Sequence, residues 1–207
     1  KFFLLMNNPT QIRQKIYNFL QDNIEIENNI YYSYNSGGNR NDFEKLHMER
    51  YLNEPIDKMK FSKDGGFSLQ LKSIIHIVSE TLYWKNFETR MFSEKTFRPI
   101  NSCQPFILVT HSHMLSKLKT AGFKTFDKWW DESYDLEQDD IVRINKIFKV
   151  ISDLNKKSIT ELTHMYNEMI PTLVHNFNHL NSDTLPYEFK CGVVFNDMSE
   201  FEQQIFL

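Results

Sequence analysis

Three short apolar runs constrain this chain more than anything else in it. They are Phe2-Phe3-Leu4-Leu5-Met6, Ser73-Ile74-Ile75-His76-Ile77-Val78 and Pro105-Phe106-Ile107-Leu108-Val109. Runs this short, apolar nearly throughout, read as buried strands. Ile30-Tyr31-Tyr32-Ser33-Tyr34 is a further strand candidate. Helical patterns lie between them. Strand and helix in alternation predict an α/β fold, with a mainly parallel sheet, flanking helices and a helical carboxyl-terminal region.

The helix signals are local. Asn8 is a good N-cap, Pro9 suits the first helical position, and Ile12, Ile16, Phe19 and Leu20 follow at helical spacing. Ser93 caps a helix opened by Glu94-Lys95-Thr96 and running to about Ser102. Met114 to Leu118 is helical and closed by Gly122, a residue suited to the position after a helix end. Phe123-Lys124-Thr125-Phe126 reads as a short strand. Asp139 or Asp140 opens a helix with Ile141, Ile144, Ile147, Phe148 and Ile151 on one face. Ser158-Ile159-Thr160-Glu161 is a capping box that opens a long helix, which Pro171 should kink. Residues 35–66 are polar, with Gly pairs at 37–38 and 65–66 and a helix expected near 42–52. Val193-Val194-Phe195 reads as a strand. The expected division is an α/β domain over residues 1–155 and a helical extension over residues 156–207 that packs on it.

Composition removes several classes of function. The chain is 41% hydrophobic and 25% charged, which argues against disorder. A net charge of −3 gives no basic excess for duplex nucleic acid. Cys103 and Cys191 are too few and too far apart for a disulfide framework or a zinc ribbon, so reduced thiols and a cytoplasmic location are expected. No apolar run approaches the roughly 20 residues that span a bilayer. Lys1 to Met6 is too short for a signal peptide. The chain opens at Lys1 rather than Met, directly in a strand, and so reads as a piece of a longer protein.

Ligands of parallel sheets bind beyond the carboxyl ends of the strands. Those places are Asn7 to Arg13, Ser79-Glu80-Thr81 and Thr110-His111-Ser112-His113. Ser93-Glu94-Lys95 offers a helix N-terminus and a lysine to a phosphate, with a glutamate that can accept from ribose hydroxyls. The same three residues also read as a capped helix with a surface ion pair. Arg13 lies one turn into the first helix and can reach a pyrophosphate with its two-pronged guanidinium; its other reading is a solvated arginine. Glu80 follows the strongest strand, either as a site carboxylate or as a cap. There is no Walker pattern, no GxGxxG and no GxSxG. His175 and His179 share a helical face, but HNFNH lacks a metalloprotease glutamate, and His111 and His113 merely alternate; no metal site is expected. Trp129-Trp130-Asp131-Glu132-Ser133-Tyr134-Asp135 reads first as a core anchor with an exposed acidic loop, and otherwise suits stacking on a sugar or base. Asp139-Asp140 reads as a helix start rather than a metal-binding Asp-x-Asp.

Taken in order, these pieces resemble the nucleotide-sugar-binding, carboxyl-terminal half of a GT-B glycosyltransferase, and most nearly the α1,3-fucosyltransferase family. The residues carrying the resemblance are Phe2 to Met6 with Asn7-Asn8 and Arg13, then Val78-Ser79-Glu80-Thr81, Ser93-Glu94-Lys95 and Gln104-Pro105-Phe106-Ile107. Ser93 to Asp135 is also similar to viral and bacterial glycosyltransferase-like proteins. The resemblance implies a Rossmann-like domain, one half of a GT-B fold. It implies a nucleotide diphosphate sugar donor, with a GDP-sugar among the candidates, held by Asn7, Arg13, Ser93, Glu94 and Lys95. Arg13 and Lys95 would take the diphosphate, Glu94 the ribose, and Glu80 a catalytic role, without a metal ion or other cofactor. The partners implied are a glycan, protein or nucleic-acid acceptor and an acceptor domain upstream of Lys1; a viral source would place the chain in host cytoplasm. The family has Asn-Ser where Glu80 is followed by Thr81-Leu82, and Tyr where Phe92 stands. The alternative is a non-catalytic nucleotide-binding module, or a viral structural or assembly protein, on a degenerate form of the same fold.

Overall fold

The structure, a computed structural model, describes residues 1–6, 10–34, 67–80, 92–182 and 185. Four strands form one sheet: β1 (Phe2–Met6), β2 (Ile30–Tyr34), β3 (Ile75–Ser79) and β4 (Phe106–Val109). Their order is β2-β1-β3-β4, and every neighbouring pair is parallel. Phe2, Phe3 and Leu4 are buried, as is every residue of β3 and β4. Burial on both faces explains why these strands lack polar alternation.

The helices are α1 (Gln11–Asp22), α2 (Ile24–Glu27), α3 (Phe67–Gln70), α4 (Glu94–Asn101), α5 (Met114–Thr120), α6 (Asp140–Lys156) and α7 (Ile159–Leu180), with a 3₁₀ turn at Ser133–Leu136. Parallel crossovers are right-handed, so α1, which leads from β1 out to β2, and α4, which leads from β3 out to β4, lie on opposite faces. The contacts agree. Phe19 of α1 stacks on Phe148 of α6 with ring centroids 4.0 Å apart. On the other face, Arg98 of α4 lies over the Phe3 ring, 5.5 Å from its centroid, and α4 packs against α7. Register pairs Phe3 with His76, and their rings meet edge to face at 5.0 Å. Among the described residues no helix is long and apolar enough to cross a membrane.

Local signals place most of these ends. Ser93 accepts from Lys95 N, Asp139 from Ile141 N and Val142 N, and Ser158 forms its capping box with Glu161. Gly122 has φ +97°, and a Cβ there would lie 2.7 Å from His179 Nε2, so both backbone and space require glycine.

Some expectations are corrected. The cap of α1 is Thr10, whose hydroxyl accepts from Arg13 N at 3.3 Å; Asn8 and Pro9 precede the helix and lie outside the described residues. Residues 123–126 are not a strand, because side chains take their backbone groups. Lys124 N donates to Asn176 Oδ1 and Asn176 Nδ2 to Lys124 O, both at 2.8 Å, while Phe126 N donates to Glu132 Oε1 at 2.8 Å. On α6, Ile141 is exposed; the buried stripe is Ile144, Ile147, Val150, Ile151 and Leu154. α7 runs as one helix through Pro171. It buries Leu162, Met169, Leu173 and Leu180 and donates from Tyr166 Oη to Cys103 O at 3.0 Å. The helix expected near 42–52 and the strand at Val193–Phe195 lie outside the described residues.

Candidate functional site

Strand order reverses between β1 and β3. The chain passes from β1 outward to β2, returns to β3 beside β1, and then moves outward to β4. The crevice for a ligand in such a sheet opens at the carboxyl ends of those two central strands. Arg13 stands beyond the end of β1, Ser79 ends β3 and Glu80 follows it.

Arg13 is 1% exposed. Its Nε donates to Ser79 Oγ at 3.3 Å and its Nη2 to Ser79 O at 3.1 Å. Burial pulls the guanidinium pKa down, and the charges of Glu80 and Glu94 oppose that. The first turn of α4 is therefore within electrostatic reach of this buried cation.

Glu80 is also buried, at 3% exposure. It accepts from Ser93 N at 3.0 Å, from Ser93 Oγ, and from Thr96 Oγ1 at 2.6 Å. Both carboxylate oxygens are thus occupied in fixing the start of α4 to the end of β3. Ser93 completes the joint, since its hydroxyl also accepts from Lys95 N at 3.2 Å.

Glu94 and Lys95 lie at the rim. Their side chains form an ion pair and are 65% and 28% exposed respectively. Partial burial pushes the Glu94 carboxyl up, but the hydrogen bond and charge of Lys95 outweigh it and hold the group below its ordinary range. The structure thus gathers Arg13, Glu80, Ser93, Glu94 and Lys95 around one strand exit. Asn7 lies outside the described residues.

The next exit, after β4, is built differently. Asp135 accepts from Leu115 N at 2.8 Å, Ser116 N at 2.9 Å and Ser116 Oγ at 2.7 Å, so an internal carboxylate covers the start of α5. Arg143, 2% exposed, donates from Nε to Thr110 O at 3.0 Å, from Nη1 to Glu137 O at 2.9 Å and from Nη2 to Asp140 Oδ1 at 2.6 Å. His113 precedes α5 with φ 64°, and its Nε2 meets Gln138 Nε2 at 2.7 Å.

Reading the sequence missed both Asp135 and Arg143 as clamps. The expected exposed acidic loop is corrected accordingly, for Glu132 and Asp135 are buried and only Asp131 is exposed. Glu132 accepts from Thr125 Oγ1 at 2.6 Å and from Phe126 N. Burial still pushes its carboxyl up, against these bonds.

The histidine pair on α7 is a second helix clamp. His175 Nε2 meets Gly122 O at 2.9 Å and His179 Nε2 meets Ala121 O at 2.6 Å, at the carboxyl end of α5. Among the described residues no group of three or more His, Cys, Asp or Glu is placed to hold a metal ion. No protein-family model matches the chain, and neither a curated protein nor a solved structure matches it.

Proposed function

We propose that this chain supplies the donor-binding part of a metal-independent glycosyltransferase, in which the β3 exit receives the diphosphate of a nucleotide sugar. One observation carries the reading. A buried guanidinium, an accessible lysine and a helix N-terminus meet at the point where strand order reverses, which is where an α/β sheet takes an anionic ligand. During transfer the bond from the sugar's anomeric carbon to the diphosphate breaks and the acceptor oxygen bonds to that carbon. Negative charge grows on the departing diphosphate. Lys95, the first turn of α4 and the field of Arg13 stabilise that charge. Glu94, released from Lys95 when phosphate arrives, is free to accept from ribose.

In this reading Glu80 is a positioning residue. It holds α4, and the proton of the acceptor hydroxyl is taken by a group on the acceptor side. That same geometry favours a second reading, a nucleotide-binding module without turnover, because the buried carboxylate nearest the crevice is already fully hydrogen-bonded.

Thermal unfolding with GDP, UDP and their sugar conjugates tests both. A ligand at about 100 times its dissociation constant raises stability by about 2.7 kcal/mol. The expected result is a shift with one nucleotide series, lost in Lys95→Ala. Release of free nucleoside diphosphate from the conjugate separates transferase from module. A folded sample that shifts with none of these ligands removes both readings.

A further inference from the structure

Trp129 and Trp130, which the β3 exit does not use, form one side of a groove of about 160 Å³ whose other side is α6. The buried residues lining it are Trp130, Val150 and Leu154. Charged side chains of both signs surround them: Asp131 and Asp153, with Lys146, Lys149 and Lys157. Lys146 pairs with Glu137 at 3.0 Å and Lys149 with Asp153 at 2.6 Å.

Two features mark this groove as more than a surface dent. Its aromatic side is rigid: both indoles pack on Phe126, with centroids 6.3 Å and 5.1 Å away, and Trp129 Nε1 donates to Glu168 Oε2 at 3.1 Å. A preset aromatic wall lowers the ordering cost of binding. Second, the lining carries three ammonium groups against two carboxylates, an excess of one positive charge.

Size and chemistry narrow the occupant. An apolar cavity of about 150 Å³ takes benzene, so this groove admits one six-membered ring. Indole against aliphatic side chains suits a ring with an apolar face. Asp131 and Asp153 suit hydroxyl donors, and the lysines suit one anionic group. We infer that the groove binds a single acidic sugar ring, a hexuronic acid or a residue of that kind within a longer glycan, with its carboxylate on the α6 lysines. The inference does not depend on the nucleotide reading of the β3 exit.

The test tracks the indole N–H resonances of the isotope-labelled chain during titration with glucuronate, glucose, acetate and an acidic tripeptide. Glucuronate is expected to move the Trp129 and Trp130 resonances saturably, at concentrations where glucose and acetate leave them in place. Lys149→Glu and Lys157→Glu each weaken it about tenfold, the scale of one charged contact. Trp129→Ala, which removes the partly buried indole from the aromatic side, weakens it further; the Lys149 and Lys157 variants keep the test valid should that variant unfold. GDP and UDP leave these resonances unmoved. An equal response to glucose overturns the acidic class, and an equal response to acetate overturns the ring. Tighter binding of the tripeptide makes the groove a protein-docking site instead. Absence of any saturable shift, or lysine variants that bind as well as the parent chain, overturns the site itself.

Discussion

The exits of β3 and β4 share a plan. At each, a buried arginine donates to the carbonyl at the strand's end, Arg13 to Ser79 O and Arg143 to Thr110 O. At each, a buried carboxylate fixes the helix that comes next, Glu80 for α4 and Asp135 for α5. They differ in where that carboxylate sits. Asp135 lies on two amides inside the first turn of α5, so the chain has supplied its own anion there. Glu80 takes the amide of the cap residue and two hydroxyls, and leaves Glu94 and Lys95 at the rim as a pair that a stronger anion can open. A helix N-terminus attracts a ligand only where no internal carboxylate already occupies it. That contrast is the reason the proposed site lies at β3, although the two exits are built from nearly the same residue types.

Removing the arginines is the harshest way to break the comparison. Each is almost completely buried with a buried or half-buried acid nearby, and loss of one partner strands the other. Arg143→Ala and Arg13→Ala are each expected to lower unfolding free energy by about 3–5 kcal/mol in urea titrations. An Arg13→Ala cost below about 1 kcal/mol would mean that its bonds to Ser79 are dispensable, and that the two exits are not built on a common clamp.

Acid titration comes next, and it reads His76 of β3, the strand that leads to the open exit. Burial, reinforced by the charge of Arg98, drives its imidazole from 6.5 down to about 3. Its pKa is depressed on folding, so the unfolded chain takes up the proton first. Stability is complete above the unfolded value and is lost as pH falls through the window from 6.5 to about 3. Between about pH 7.5 and about pH 5 the expected loss is about 2 kcal/mol. His76→Phe, which preserves the edge-to-face contact with Phe3, should abolish that slope. A slope unchanged in the variant would show that His76 does not carry the acid sensitivity.

How much of this was legible depends on the range of each interaction. Strands β1, β3 and β4 are apolar runs, visible because burial on both faces leaves no polar alternation. Ser93, Ser158 and Gly122 were legible because a cap acts within three residues. Thr10 was not, since Asn8 is an equally good local cap by residue type. The clamps were illegible for a simpler reason. Arg13 finds Ser79 at a separation of 66 residues, and Asn176 replaces a strand partner for Lys124 at a separation of 52. No spacing within either segment announces such a meeting. Glu80 and Lys95 could be named from the sequence, but that Glu80 is sealed while Lys95 is reachable could not.

Glu80→Gln sharpens the contrast at lower cost. Glutamine can still accept from Ser93 N and Thr96 Oγ1, and Ser93 Oγ can turn to accept from the new amide. The expected loss is about 1 kcal/mol in urea titration, with nucleotide affinity nearly kept. Should the variant bind nucleotide as before yet release no diphosphate from a sugar nucleotide that the parent chain cleaves, Glu80 acts in the chemistry, and its assignment as a positioning residue falls.

Lys95→Ala has the smallest expected effect on folding and the greatest bearing on the comparison. A rim ion pair such as Lys95–Glu94 contributes at most about 1 kcal/mol, so the urea midpoint should move little. A phosphate contact is different, because the lysine then meets a full charge beside a helix terminus, and its loss should weaken nucleotide binding at least about tenfold by calorimetry. The matched control is Lys117→Ala at the β4 side, in the last turn of α5, where Asp135 has already filled the opposite end of the helix. Nucleotide affinity lost in the first variant and kept in the second would show that the open exit, and not general positive charge, recruits the ligand. Equal losses would reduce the β3 exit to one basic surface among others, and the difference between Glu80 and Asp135 would then concern packing alone.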